Sequence, residues 1–128
     1  MAITNADNAF GLRAIGKVGQ NRDNQGLSEY GIAASSAAIY QNDPIMMAAT
    51  GKIIVGTAAA VLLGSLNGVF YTDATNQKPT WANHLAASNT ATDIVGFVSD
   101  DPYERFEIQS DAALTAAEVG MNADIVYA

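Results

Sequence analysis

Hydrophobic and polar residues alternate over short distances along this chain, and glycine, proline and Asn/Asp clusters interrupt them about every eight to twelve positions. Short β-branched or aromatic runs between frequent turns are typical of an all-β sandwich or barrel. None of these runs alternates with a long helical pattern, which disfavours a doubly wound α/β sheet. The strands predicted on this basis cover residues 12–18, 30–33, 44–47, 52–56, 68–72, 93–99, 106–109 and 124–127.

Two segments carry helical signals instead. Ala and Leu favour helix in AAAVLLGSL, but glycines bracket this run closely, so 53–66 is left as either strand or short helix. The second segment, LTAAEVG, has the spacing of a capping box between Thr115 and Glu118, followed by Gly120 as a left-handed cap. It predicts a helix of about one turn near the C-terminal end.

The chain's 128 residues are about one domain's worth, enough to bury a core without a second domain. Residues 1–10 are polar with isolated apolar positions and predict an extended N-terminal arm. We therefore expect a single mainly-β domain over 11–128, a small barrel or sandwich with one short helix. An asparagine-glycine pair at Asn67 and Gly68 predicts a hairpin or tight turn.

The most acidic stretch is VSDDPYERFEIQSD, which holds five of the thirteen carboxylates. Asp100-Asp101-Pro102 has the composition of a turn whose Asp side chains bond nearby backbone amides. Alternation after this turn predicts that Phe106 and Ile108 point into the core, while Tyr103 and Glu107 face water or a partner. We expect surface carboxylates here, because they do not converge and no calcium-loop spacing is present.

Charge is distributed unevenly along the sequence. Residues 1–64 carry four basic and four acidic groups, whereas residues 65–128 carry two basic groups against nine carboxylates, which accounts for the net charge of −7. Without a basic cluster, neither nucleic acid nor an anionic membrane is an expected partner. The uncharged run IIVGTAAAVLLGSLNGVFYT is too rich in glycine and polar residues to predict a membrane span.

Catalytic and metal-binding motifs receive no support. The chain has a single histidine, His84, and no cysteine, which excludes the usual zinc ligand sets. No nucleophile elbow and no phosphate-binding glycine loop is present. We therefore predict no catalytic, cofactor-binding or metal-binding residue, and we expect a protein that is not an enzyme.

Candidate partner-binding residues come instead from apolar and aromatic positions near turns. Trp81 stands among turn residues in QKPTWANHL, where it either caps the core or anchors an interface. Phe10 directly follows the arm, and the strand that starts there either begins the core or clamps a partner. The predicted partner-binding residues are Ile3, Phe10, Leu12, Arg13, Trp81 and Tyr103.

The order of segments in the C-terminal half resembles small structural proteins of tailed-bacteriophage heads, in the capsid decoration or cement class. The residues that carry this resemblance are GVFYTDATNQKPTWANH, TATDIVGFVSDDPYERFEIQSD and LTAAEVGMNADIV, with looser matches at F-G-L-R and N-D-P-I. The class is not enzymatic, so the resemblance transfers no active-site residue.

The resemblance implies a virion protein that binds the outside of a capsid and stabilises it by bridging major capsid subunits. It implies the major capsid protein as partner, a homo-oligomer that is a trimer or else a dimer, and location on the capsid exterior after synthesis in the host bacterial cytoplasm. A head-fibre or tail component is an alternative of the same class. The alternative of another class is a carbohydrate-binding module or small hydrolase that uses the Asp100-Asp101 loop.

Overall fold

A computed structural model describes residues 8–19, 26–58 and 60–126, which form eight β-strands and one short 3₁₀ helix. The strands are β1 (Arg13–Lys17), β2 (Ser28–Gly31), β3 (Pro44–Met47), β4 (Ile53–Val55), β5 (Gly64–Thr72), β6 (Pro79–Ala82), β7 (Val95–Ser99) and β8 (Glu104–Glu107), and the helix is Ala116–Glu118. The predicted mainly-β class is confirmed. The strands form two sheets that do not close into a barrel.

The larger sheet has six antiparallel strands in the order β2-β7-β5-β3-β4, with β6 also paired to β5. The nine-residue strand β5 organises this sheet because it pairs with β7 along one edge and with both β3 and β6 along the other. Its first residues align with β3, and its last four align with β6. Strands from both halves of the sequence therefore interleave in one sheet.

The hydrophobic core lies on one face of the six-stranded sheet. Leu66 and Val69 of β5 and Val98 of β7 point into it and are fully buried. Because inward and outward side chains alternate along a strand, a spacing of three between Leu66 and Val69 requires an extra residue. The register shift between Leu66 and Gly68 supplies it. The remaining buried core residues are Ile32, Ile39, Ile45, Ile53, Leu85, Ala91 and Ile94.

The predicted turn at Asn67 and Gly68 is therefore wrong, since both residues lie inside β5 at this bulge. The isolated dipeptide is a good turn signal, but strand pairing on both edges of β5 holds it extended. The turn composition around Trp81 predicts no strand there, but the structure has strand β6 over Pro79–Ala82.

The second sheet is a two-stranded ribbon of β1 and β8, also antiparallel, with a register shift between Ala14 and Gly16. The Val18 amide extends this pairing by donating to the Tyr103 carbonyl oxygen at 2.8 Å. The chain enters the ribbon through Gly11, whose φ of 78° suits glycine and whose added Cβ would lie 2.5 Å from the Asn42 carbonyl oxygen. The Leu12 amide donates to that same oxygen at 2.7 Å, which joins the ribbon to the core.

The other predicted elements have mixed outcomes. Seven predicted strands overlap observed ones, and 44–47 agrees at both ends. Within 53–66, strands occupy both ends and no helix is present among the described residues. The predicted strand over 124–127 is wrong as far as the structure describes it, because residues 124–126 have no regular structure and residue 127 lies outside the described ranges. Of the predicted arm, only residues 8–10 are described.

The predicted C-terminal helix is confirmed as a single 3₁₀ turn. The Glu118 carboxylate accepts from the Thr115 amide at 2.5 Å and from the Thr115 hydroxyl at 3.0 Å, and Gly120 has a φ of 83°. These two bonds from Thr115 hold the pKa of Glu118 below its usual value. The turn nevertheless lies in an exposed segment, since residues 110–124 contain no buried or half-buried position.

The predictions that Phe106 of β8 and the following Ile108 point into the core are wrong. Ile108 is 47% exposed, and Phe106 is only half-buried and does not belong to the core cluster. Period-two alternation predicts which side chains share a face but not which face is covered, and β8 pairs only with β1, away from the main sheet. Among the described residues, no helix has the length and apolar character needed to cross a membrane.

Candidate functional site

The carboxylates of the acidic stretch contact separate partners on the other strands. Asp100 follows β7, and its two oxygens accept hydrogen bonds from the Ser28 hydroxyl at 2.8 Å and from the Tyr30 hydroxyl at 2.5 Å. The bond to Asp100, together with burial, raises the pKa of Tyr30 above its usual value. Asp100 therefore joins the end of β7 to β2 and does not bond the local backbone amides as predicted.

Asp101 bonds the ribbon instead. One of its oxygens accepts from the Tyr103 amide at 2.8 Å, as the turn prediction expected, and the other lies 2.8 Å from the Lys17 ammonium nitrogen. Lys17 contributes most to holding the pKa of Asp101 below its usual value, and the Tyr103 amide adds to the effect. This ion pair ties the C-terminal end of β1 to the turn between β7 and β8.

The remaining two carboxylates of β8 also bond to β1. Glu104 accepts from the Gly16 amide at 3.1 Å, and Glu107 forms an ion pair with Arg13 across the ribbon. The description of these acids as free surface groups is therefore incomplete, because four of them hold the ribbon and the β7–β8 turn in place. Among the residues that the structure describes, no group of three or more His, Cys, Asp or Glu side chains could hold a metal ion.

A cluster of three aromatic rings lies on the side of the six-stranded sheet opposite the core. We call Phe70, Trp81 and Phe97 the aromatic face. The Trp81 ring stacks on Phe97, with centroids 5.3 Å apart and planes inclined by 17°. Its centroid also lies 4.5 Å from that of Phe70, with the planes inclined by 45°. Trp81 is 69% exposed, whereas the two phenylalanines are half-buried. The indole is thus held by two neighbouring rings while much of its surface faces outward.

Strand register explains how the three rings come together. Phe70 of β5 is the cross-strand partner of Trp81 of β6, and Phe97 of β7 aligns with Gly68. Side chains at aligned positions share one face and lie close enough for aromatic contact. Glu29 of β2 aligns with Phe97 and is exposed, so a carboxylate borders the rings on that side.

The other predicted partner-binding residues do not lie on this face. Ile3 lies outside the described residues. Leu12 is buried, with 8% of its surface exposed, so its side chain packs inside the protein. Phe10 is 39% exposed, and the Arg13 guanidinium carbon lies 4.9 Å from its ring centroid. Tyr103 is 69% exposed in the turn that leads into β8.

The predicted residues therefore separate into two regions. Phe10, Arg13 and Tyr103 belong to the ribbon or its flanks, and Trp81 belongs to the aromatic face. Sequence reasoning missed Phe70 and Phe97, because each belongs to a strand that reads as ordinary core. Their alternation with the buried residues Val69 and Val98 was the available signal that they point away from the core.

The single histidine is exposed and stacks on Tyr40, with centroids 5.9 Å apart and planes inclined by 17°. Its Nδ1 atom lies 3.0 Å from the Asn83 side-chain oxygen. Neither contact brings a nucleophile to the imidazole, so this pair has the geometry of a small surface cluster.

No family model, no curated protein and no solved structure matches this chain. The functional assignment therefore rests on the chain's own residues.

Proposed function

We propose that this protein is a structural virion protein that binds the outer surface of a tailed-phage capsid and stabilises the shell by bridging major capsid subunits. The proposal includes a homo-oligomer, a trimer in preference to a dimer, on the capsid exterior after synthesis in the host bacterial cytoplasm. The observation that carries the binding role is the aromatic face, with Trp81 held outward by two neighbouring rings.

This arrangement has the properties of an interface anchor. Tryptophan is enriched among the residues that dominate binding energy, because it buries a large area at a small cost in side-chain entropy. Stacking on Phe97 and the tilted contact with Phe70 already restrict the indole, so less conformational freedom is lost when a partner covers it. A carboxylate at the border, Glu29, matches the polar rim that commonly surrounds an apolar interface centre.

Exposed apolar residues in the C-terminal segment provide a second kind of support. Four large side chains between positions 114 and 126 are 72–84% exposed, so most of their surface is not covered by the described residues. Isolated exposed hydrophobic residues are ordinary, but four of them within one exposed segment favour contact with another molecule. These residues are Leu114, Val119, Met121 and Val126.

The uneven charge along the sequence does not by itself support the proposal. The sequence favours a neutral half that binds and an acidic half that faces solvent, but strands of both halves interleave in the main sheet, with β2 beside β7 and β3 beside β5. The asymmetry along the chain therefore does not separate two faces of the molecule. Repeated weak contacts on a shell still sum to a strong hold, because neighbouring sites have fixed spacing.

Cosedimentation with capsids of the phage that encodes the chain tests the proposal. We expect about one copy per major capsid subunit, capsids that burst more readily without the protein, and loss of binding on Trp81→Ala. The matched control is Tyr40→Ala, which removes another exposed aromatic side chain away from the aromatic face. Failure of the unmodified protein to bind, or equal binding by both variants, would contradict the proposal.

A cryo-EM map of the intact particle separates decoration from the alternative of a head-fibre or tail component, since each places density at a different part of the virion. The alternative of a saccharide-binding or hydrolytic Asp100-Asp101 loop gains nothing from the geometry, because both carboxylates already bond Ser28, Tyr30 and Lys17. Activity that disappears on Asp101→Asn would revive it.

A further inference from the structure

A polar pocket of about 370 Å³ lies between the ribbon and the outer side of the six-stranded sheet. Ser65 of β5 and Ser99 of β7 line it, and they are aligned partners in the sheet register. Alternation places both side chains opposite the core residues Leu66 and Val98, which follow and precede them. The ribbon residues Arg13 and Ala14 line the pocket from the other sheet.

The two serine hydroxyls are buried but unsatisfied. Ser65 is 3% exposed and Ser99 is 5% exposed, and within residues 8–19, 26–58 and 60–126 neither hydroxyl has a hydrogen-bond partner. A buried polar group without a partner loses its hydrogen bonds to water and gains none in return, so such groups are uncommon in native proteins. Two of them side by side in one pocket indicate that a bound molecule supplies the missing hydrogen bonds.

The other lining groups indicate what kind of molecule this is. Gln41 and Asn67, both exposed, belong to the lining, and their side chains carry amides, which donate and accept hydrogen bonds as hydroxyls do. Leu27 adds an apolar contact surface. Among the described lining residues none is a carboxylate, and the single cation of that set, Arg13, forms an ion pair with Glu107. The site is therefore electrically balanced and rich in groups that both donate and accept.

We propose that this pocket binds a small neutral polyhydroxylated ligand, such as a single sugar residue. Each ligand hydroxyl both donates and accepts, which matches the paired serines and the amides, and its C–H surface matches Leu27. The volume lies at the lower end of the range for small-molecule sites, which suits one ring. The inference does not depend on the proposed virion role, because the pocket lining includes none of the three residues of the aromatic face.

Titration of the isolated protein, followed by two-dimensional ¹H–¹⁵N NMR, tests this site. The probes are D-glucose, D-galactose, N-acetyl-D-glucosamine and mannitol, with sodium acetate as the anionic comparison. We expect at least one neutral probe to bind with a Kd of about 1 mM or tighter. Its saturable shifts should include the backbone amides of Ser65, Asn67 and Ser99.

Replacement of both serines by alanine should weaken that binding at least about tenfold. Thermal stability should not fall, because the change removes unsatisfied hydroxyls. If this double variant fails to fold, Asn67→Ala provides the test at an exposed position of the same pocket, with weaker binding expected. The control is Ser110→Ala, whose hydroxyl bonds the Ala112 carbonyl oxygen outside the pocket.

Three results would overturn the proposal: no saturable shift with any neutral probe, binding of acetate in their place, or equal affinity in the serine double variant. The titration contains no capsid particles, so a negative result would not contradict the virion proposal. Likewise, failure of the protein to bind capsids would not contradict the proposed ligand site.

Discussion

The Tyr30 hydroxyl donates a 2.5 Å hydrogen bond to the carboxylate of Asp100, which lies 70 positions later in the sequence. Tyr30 belongs to β2 and also packs its ring against the hydrophobic core, while Asp100 begins the turn that leads from the main sheet to the ribbon. One contact therefore connects the core, the edge strand and the ribbon. The effect of removing it can be measured directly.

Tyr30→Phe removes the hydroxyl and keeps the ring in the core. We expect a loss of about 1–2 kcal/mol in the free energy of unfolding, because the bond has a charged acceptor and is only half-buried. Urea unfolding at neutral pH measures the change. Tyr40→Phe is the control, because Tyr40 is exposed, and an equal loss in both variants would contradict the role of Asp100.

The same bond predicts how stability changes at alkaline pH. The pKa of Tyr30 is raised from 10.0 in the folded protein, first by its hydrogen bond to Asp100 and then by burial. The unfolded chain thus releases the Tyr30 proton at a lower pH than the folded chain does. The stability contributed by this group should be complete below pH 10 and decrease as pH rises above it. Urea unfolding across this range should show a shallower decline for Tyr30→Phe than for the unmodified protein.

Asp101 makes the corresponding prediction at acidic pH. Its folded pKa is lowered from 3.8, chiefly by Lys17, so its contribution to stability is present above the unfolded pKa and is lost as pH falls through the lowered value. Asp101→Asn should lower the thermal midpoint at neutral pH and flatten the acid decline. Asp111→Asn, in the exposed C-terminal segment, is the control. An unchanged acid decline in Asp101→Asn would show that the ion pair contributes nothing.

Gly64 is a test of backbone packing between β5 and β7. A Cβ atom added at this position would lie 1.9 Å from the Ser99 carbonyl oxygen, so strand pairing has to shift to admit any side chain. Gly64→Ala should therefore destabilise the fold by about 3 kcal/mol or more. At Gly26 no atom of the described residues lies within 4 Å of an added Cβ, so Gly26→Ala should change stability by less than about 1 kcal/mol. Denaturant unfolding of the two variants gives the comparison, and similar losses would contradict the close contact.

The segment after β8 should be dispensable for folding. Truncation after Ser110 removes no buried residue among those described, so we expect the free energy of unfolding to change by less than about 1 kcal/mol. Truncation after Tyr103 also deletes β8 and its bonds to β1, and it should be strongly destabilising. A large loss of stability from the shorter deletion would mean that the segment packs on the fold. The exposed apolar residues of the segment after Ser110 predict that truncation after Ser110 weakens capsid binding.

Local signals predicted much of the secondary structure. The alternation of short apolar runs and turn residues predicted a mainly-β domain, and 44–47 agrees with β3 at both ends. Thr115, Glu118 and Gly120 predicted the single helical turn, because capping depends on residues only three to five positions apart. In each case neighbouring residues in the sequence supply the physical determinants.

By itself, the sequence determined the class of fold and the short capped helix, whose contacts join residues close together in the chain. Only the tertiary structure decided that Asn67 and Gly68 form a bulge, that Asp100 bonds Tyr30, and that Trp81 meets Phe70 and Phe97. Ser65 and Ser99 likewise became neighbours only through the pairing of β5 with β7. Alternation predicts which residues of one strand share a face, but register and coverage depend on packing between distant segments, so the candidate sites emerged only from the folded chain.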